Sequence, residues 1–157
     1  MAQLTAEEQL LLASSVGARA HHNHFRKDGT PYFSHPVRVA IRAAASLTGI
    51  LDPGESLDLE IQTVALLHDT VEDTPVTFEE LRELGFSPTV IAAVDSVTKR
   101  VGEPYSGLIE RAKANVIGRA VKIADIQDNL ADQSALDPEE VEFFRNRYTK
   151  ALEVLNG

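Results

Sequence analysis

Leu66-Leu67-His68-Asp69-Thr70-Val71-Glu72-Asp73-Thr74 ends an apolar run in an imidazole and three carboxylates. Adjacent side chains on a helix diverge by about 100°, so His68 and Asp69 can take neighbouring positions around one divalent ion. If the helix continues, Glu72 returns to the face of His68 and Asp73 to that of Asp69, one turn on. Two further carboxylates then stand beside the ion without being its ligands. Upstream, Ile61, Val64, Ala65 and Leu67 recur at helical spacing behind Asp58, a candidate cap. Pro75 disfavours helix at Thr74 and is expected to end the element. So apolar a helix predicts burial for His68 and Asp69, and buried charges are costly unless paired or bound to metal.

Working outward, the same punctuation marks further helices. Thr5-Ala6-Glu7-Glu8 reads as a capping box for a helix to about Ala20, with Leu4, Leu11 and Val16 on its apolar face. Ser34 is the expected cap of a helix to about Thr48, with His35-Pro36 in its first turn. After a turn at Asp52-Pro53-Gly54 and the central helix, Thr77-Phe78-Glu79-Glu80 opens a helix stopped by Gly85. Ser87-Pro88 opens another, over Val90, Ile91, Val94 and Val97. Helices from about Tyr105 to Ala114 and from Ile117 to Asp132 follow, and Asp137-Pro138-Glu139-Glu140 announces the last. No alternating run bounded by hairpin turns occurs, and no repeat. The expectation is an all-α bundle of about seven or eight helices, one domain over residues 1–157.

Composition narrows the chemistry. With no cysteine, thiol nucleophiles, disulfides and Cys-ligated metals are excluded, so any metal is held by His, Asp, Glu, Asn or backbone oxygen. A net charge of −9 argues against a general nucleic-acid binder, whose affinity needs clustered Lys and Arg. A small phosphorylated ligand stays compatible, because a cation and a few placed basic residues can supply a local positive field. The first residues lack the basic and apolar regions of a signal peptide, and no apolar run approaches the length of a membrane span. A cytoplasmic chain is the expectation.

His35 and Asp125 are the candidates to complete the shell. Read singly, one is a helix-capping histidine and the other an aspartate on a solvated face. Read with His68 and Asp69, they give two imidazoles and two carboxylates, a set suited to six-coordinate Mn²⁺ or Fe²⁺ with two positions open. Zn²⁺ is compatible but more often four-coordinate. Such a site hydrolyses phosphate esters or anhydrides: the ion acidifies water and stabilises phosphoryl charge, and a nearby carboxylate moves the proton. Glu72 and Asp73 are placed for that role, their plainer reading being an exposed acidic turn. Arg26 and Lys27, in the loop before Pro31, can meet phosphate or simply be solvated. His21, His22 and His24 compete as ligands but diverge along the helix end, and read as a cluster favouring the negative dipole end or as pocket rim. Asn129 shares a face with Asp125.

Several ordered segments together resemble a known family. They are Arg26 with Gly29-Thr30-Pro31-Tyr32-Phe33-Ser34-His35-Pro36; Leu67 to Thr74; Val97-Thr98-Lys99; and Lys122-Ile123-Ala124-Asp125 with Asn129. The chain is similar to the HD superfamily of metal-dependent phosphohydrolases, and within it to RelA/SpoT-type hydrolase domains and small alarmone hydrolases. The resemblance implies Mn²⁺ held by His35, His68, Asp69 and Asp125, catalysis by Glu72 and Asp73, and a nucleotide pocket lined by Arg26 and Asn129. The reaction it implies removes pyrophosphate from the 3′ position of (p)ppGpp. The alternatives are another nucleotide phosphohydrolase such as a nucleotidase, or a non-catalytic nucleotide-sensing module. The chain departs from the family at Asp125-Ile126-Gln127-Asp128-Asn129-Leu130-Ala131, where Asp-Arg-Leu-His-Asn, often with Met-Arg after it, is usual. Losing those cations is expected to weaken binding of a ligand with several phosphates.

Overall fold

The computed structural model describes residues 3–52, 54–133 and 136–157; Met1, Ala2 and the Pro53 of the expected Asp52-Pro53-Gly54 turn lie outside them. All regular structure among the described residues is helical: α1 (Ala6–Ala20), α2 (Ser34–Ser46), α3 (Ser56–Leu67), α4 (Thr70–Asp73), α5 (Phe78–Leu84), α6 (Pro88–Val97), α7 (Tyr105–Lys113), α8 (Val116–Ala131) and α9 (Pro138–Asn156). α4 is a single turn, so the full-length helices agree with the expected all-α count.

Local chemistry sets most of the starts. Capping boxes close at Thr5/Glu8, Thr77/Glu80 and Asp137/Glu140, each joining two otherwise unsatisfied N–H groups to side-chain oxygens. Ser87 caps α6 ahead of Pro88, and Gly85 ends α5 with a φ of 107°, where a side chain would be strained. Two expected caps differ. Ser34 lies inside α2, its hydroxyl donating to Pro31 O, and Phe33 precedes the helix without a side-chain cap. Asp58 sits in the first turn of α3, which starts at Ser56, and accepts from Gly54 N–H instead. Leu11, expected on the apolar face of α1, is exposed; Gln9, Ala13 and Gly17 face inward.

α3 is the centre of the bundle. It packs against α1, α2, α6 and α8, and Ile61, Val64, Ala65, Leu66 and Leu67 are buried all round it, as expected of a core helix rather than a surface one. At about 1.5–3 kcal/mol for each large apolar side chain fully buried, this helix is fixed by packing, and with it the place where it ends. α8 joins two apolar clusters: Ile117, Val121 and Ala124 belong to the α3 core, whereas Ile126 packs with Val97, Ile109, Ala112, Ala151 and Leu155 of α6, α7 and α9.

Gly17 lets α1 approach the end of α3. A Cβ there would stand 2.5 Å from Phe33 Cε2 and 2.9 Å from the Leu66 carbonyl oxygen. The ring can turn, but the backbone oxygen two residues before His68 cannot. Gly17→Ala is expected to incur about 1–3 kcal/mol of overpacking against about 1 kcal/mol of gained helix propensity. The expected net result is a lower urea midpoint; an unchanged or higher one would mean that α1 shifts freely over α3.

Candidate metal centre

The helix does not run unbroken from α3 through His68 and Asp69 to Asp73, although it ends before Pro75 as expected. α3 ends at Leu67, His68 and Asp69 form the link, and α4 carries Thr70–Asp73 before Thr74 becomes extended ahead of Pro75. The break aims His68 and Asp69 towards α2 and α8, while Asp69, Glu72 and Asp73 still group closely enough to share one ion.

His35, in the first turn of α2, is 2 % exposed and stands between α3 and α8. Its Nδ1–H donates to Asp128 Oδ2 at 2.7 Å, and its Nε2 lies 2.9 Å from Asp125 Oδ1 and 3.8 Å from Asp69 Oδ2. His68, equally buried, donates its Nδ1–H to Ala65 O at 2.7 Å. That leaves His68 Nε2 buried and without a hydrogen-bond partner, 3.0 Å from Asp69 Oδ2 and 3.4 Å from Asp125 Oδ1. A lone pair facing carboxylate oxygens is repulsive unless a proton or a cation stands between them.

These spacings fit one divalent ion. Donor atoms held about 2.1 Å from an ion stand about 3 Å apart at right-angled positions, close to the 2.9, 3.0 and 3.4 Å found here. The nitrogen and carboxylate donors suit a divalent transition metal, and His35, His68 and Asp125 form a buried group able to share it. Asp69 joins them through its two imidazole contacts. Asp125, read alone as solvated, is buried.

The surrounding charges are consistent with that reading. Burial disfavours the His68 imidazolium, but Asp69 and Asp125 outweigh it and hold the pKa well above the usual value. Burial would likewise raise Asp125, yet Lys122 and the two histidines hold it well below the carboxylate range. Partial desolvation, then the like charges of Asp69 and Glu72, push the Asp73 carboxyl up to about 6. Glu72 accepts the backbone N–H of Lys99 at 2.7 Å, which ties α4 to the end of α6.

Several participants carried no assigned role in the sequence reading. Tyr32 O–H donates to Asp69 Oδ2 at 2.5 Å, and burial with the Asp69 charge keeps the phenol protonated. Lys122 Nζ donates to Asp125 Oδ2 at 2.9 Å. Asp128 is engaged by His35, Arg38 and Arg42. A signal for that last set exists: His35, Arg38 and Arg42 recur on one face of α2, Asp125 and Asp128 on one face of α8, with Asp132 at its C-terminal cap. Ile126, at a position expected to cost the pocket a cation, is a core residue, and Arg38 and Arg42 bring cations from α2.

Arg26 is presented by a closed loop in which its N–H bonds Thr30 O and Asp28 accepts from the Thr30 backbone and hydroxyl. The guanidinium reaches Asn129 Oδ1 at 3.4 Å and Asp132 at 3.2 Å, and Nη1 is buried without a partner. Arg26, Asn129, Asp132, Phe144 and Tyr148 line a cavity of about 150 Å³. Lys27 instead reaches out to Glu140 of α9 at 3.2 Å and is mostly exposed. His21 is buried against Tyr32 and 3.4 Å from His24 at Nδ1, and joins neither ion-sized group found among the described residues.

Comparison with known proteins gives a consistent picture. A family model described as HD domain matches residues 13–115. Guanosine-3′,5′-bis(diphosphate) 3′-pyrophosphohydrolase MESH1 of Danio rerio is 38% identical over 140 residues, covering 83% of this chain and 72% of that protein. Its Homo sapiens counterpart is 38% identical over 141 residues, with 83% and 73% covered. A solved structure of a metazoan ortholog of SpoT, described as hydrolysing ppGpp with a role in starvation responses, superposes with a TM-score of 0.77. It is 27% identical and covers 95% of this chain and 86% of its own.

Proposed function

The chain belongs to the HD-domain family, and from that premise we propose that it is a divalent-metal-dependent 3′-pyrophosphohydrolase of guanosine 3′,5′-bis(diphosphate), with residues 1–157 forming one hydrolase domain. The observation that carries the reading is the convergence of His35, His68, Asp69 and Asp125 around the unpartnered His68 Nε2, in a chain 38% identical to relatives that bear this activity in their names. These four residues hold the ion, and Mn²⁺ suits their mixed imidazole and carboxylate donors. When bound, the ion supplies Lewis acidity that stabilises charge on phosphoryl oxygen.

The chain's own residues do the rest. Arg26 and Asn129, side by side at the cavity, bind and orient the phosphorylated nucleotide. Lys27 lies at the outer edge and reaches substrate only by leaving Glu140. Glu72 and Asp73, exposed at the mouth beside Asp69, exchange protons with solvent and substrate. One water is consumed; the bond between ribose O3′ and phosphorus breaks, giving pyrophosphate with GDP from ppGpp or GTP from pppGpp. Tyr32 holds Asp69 through its hydroxyl. No described helix is long and apolar enough to cross a membrane.

A panel of ppGpp, pppGpp, GMP and GDP, assayed with Mn²⁺ and followed by nucleotide chromatography, tests the assignment. Turnover of ppGpp and pppGpp with release of pyrophosphate is expected. Dephosphorylation of GMP without turnover of ppGpp would make the chain a nucleotidase, and binding without turnover of any would make it a sensor.

A further inference from the structure

We propose that Asp128 is a positioning residue for the metal centre: braced by Arg38 and Arg42, its carboxylate fixes the ring and the protonated nitrogen of His35. The inference rests on the metal-binding reading above and adds a residue that reading leaves without a role.

The geometry leaves little freedom. Asp128 is 1 % exposed and His35 2 %, and Oδ2 lies 2.7 Å from Nδ1. An ionised carboxylate only accepts, so Asp128 fixes a proton on Nδ1; Nε2 faces Asp125 and Asp69, and there an ion bound between the three takes the place of a second proton. His68 is held in the same sense by a backbone carbonyl. Both imidazoles therefore turn Nε2 to a common point, one oriented by a neutral acceptor and the other by a charged one, which makes His35 the stronger electron donor.

The cost of burying Asp128 is offset from the same helix that carries His35. Arg38 Nε and Arg42 Nε donate to Oδ1 at 3.0 and 3.1 Å, and Arg38 Nη2 donates to Oδ2 at 3.1 Å. Arg38 Nη1 also reaches Ser34 Oγ at 3.1 Å. Arg38 and Arg42 lie one and two turns after His35, so α2 supplies the ligand and the cations that hold its partner, while α8 supplies Asp125 and Asp128 one turn apart. A shift of either helix would alter all these bonds together.

The test uses the full chain with Mn²⁺ and Zn²⁺ chlorides. In the Zn²⁺-loaded wild type with ¹⁵N-labelled histidine, NMR is expected to find the His35 proton on Nδ1, and a proton on Nε2 would overturn the proposal. Calorimetric titration of folded Asp128→Asn and Asp128→Ala is expected to show Mn²⁺ affinity weakened by about 10–100-fold. Affinity within twofold of wild type in both variants would overturn it, whatever their melting temperatures. If the wild type itself bound neither ion, the proposed function would fall instead, so the two failures are separable. If the variants do not fold, the wild-type spectrum still decides.

Discussion

Asp69→Ala is expected to bind no stoichiometric Mn²⁺ and to hydrolyse ppGpp about a thousandfold more slowly, ~4 kcal/mol of lost transition-state stabilisation. The carboxylate touches both imidazoles, at 3.0 Å from His68 Nε2 and 3.8 Å from His35 Nε2, and accepts the Tyr32 hydroxyl. Its removal would take the proposed ligand from the ion and an acceptor from Tyr32 at once. Asp69→Asn separates the two effects, since it retains an oxygen for Tyr32 while losing the charge. Metal analysis of both purified variants provides the check. Unchanged metal content would show that Asp69 lies outside the shell and belongs with Glu72 and Asp73.

Glu72→Gln and Asp73→Asn are expected to show the opposite split. Metal content and Mn²⁺ affinity stay at the wild-type level while kcat falls by about 10²–10⁴-fold, the range for loss of a group that moves a proton in the transition state. Glu72→Gln keeps an oxygen that can accept Lys99 N–H, so the tie between α4 and α6 survives. Steady-state kinetics beside metal titration distinguish the roles. Loss of metal in either variant would make that residue a ligand, and an undiminished kcat would return the pair to an acidic turn at the mouth of the site.

Much of the architecture was legible because it is written locally. A capping box needs residues only three apart, and Thr5/Glu8, Thr77/Glu80 and Asp137/Glu140 each form as read. The gathering of His35, His68 and Asp125 into one buried group was legible too, since buried His and Asp at the ends of apolar helices have few uses. What escaped depends on how helices meet. The break between α3 and α4 occurs where two imidazoles and two helices converge, and periodicity along one segment carries no sign of it. Ser34 has a cap's chemistry but lies a residue inside α2, where its hydroxyl turns back to Pro31. Asp128 looked like the loss of a basic position, because its partners lie some 90 residues earlier in the chain, on α2. Matching the charged face of α2 to the acidic face of α8 would have revealed it. The same matching shows Ile126 as core rather than pocket.

The central claim is hydrolysis at the 3′ phosphorus, and one measurement reads it directly: reaction of ppGpp with the Mn²⁺-loaded chain in H₂¹⁸O, followed by mass spectrometry of the products. The account predicts GDP and pyrophosphate in equal amounts, with one ¹⁸O atom in the pyrophosphate and none in the GDP. Label in the ribose of GDP, orthophosphate in place of pyrophosphate, or intact ppGpp would contradict it.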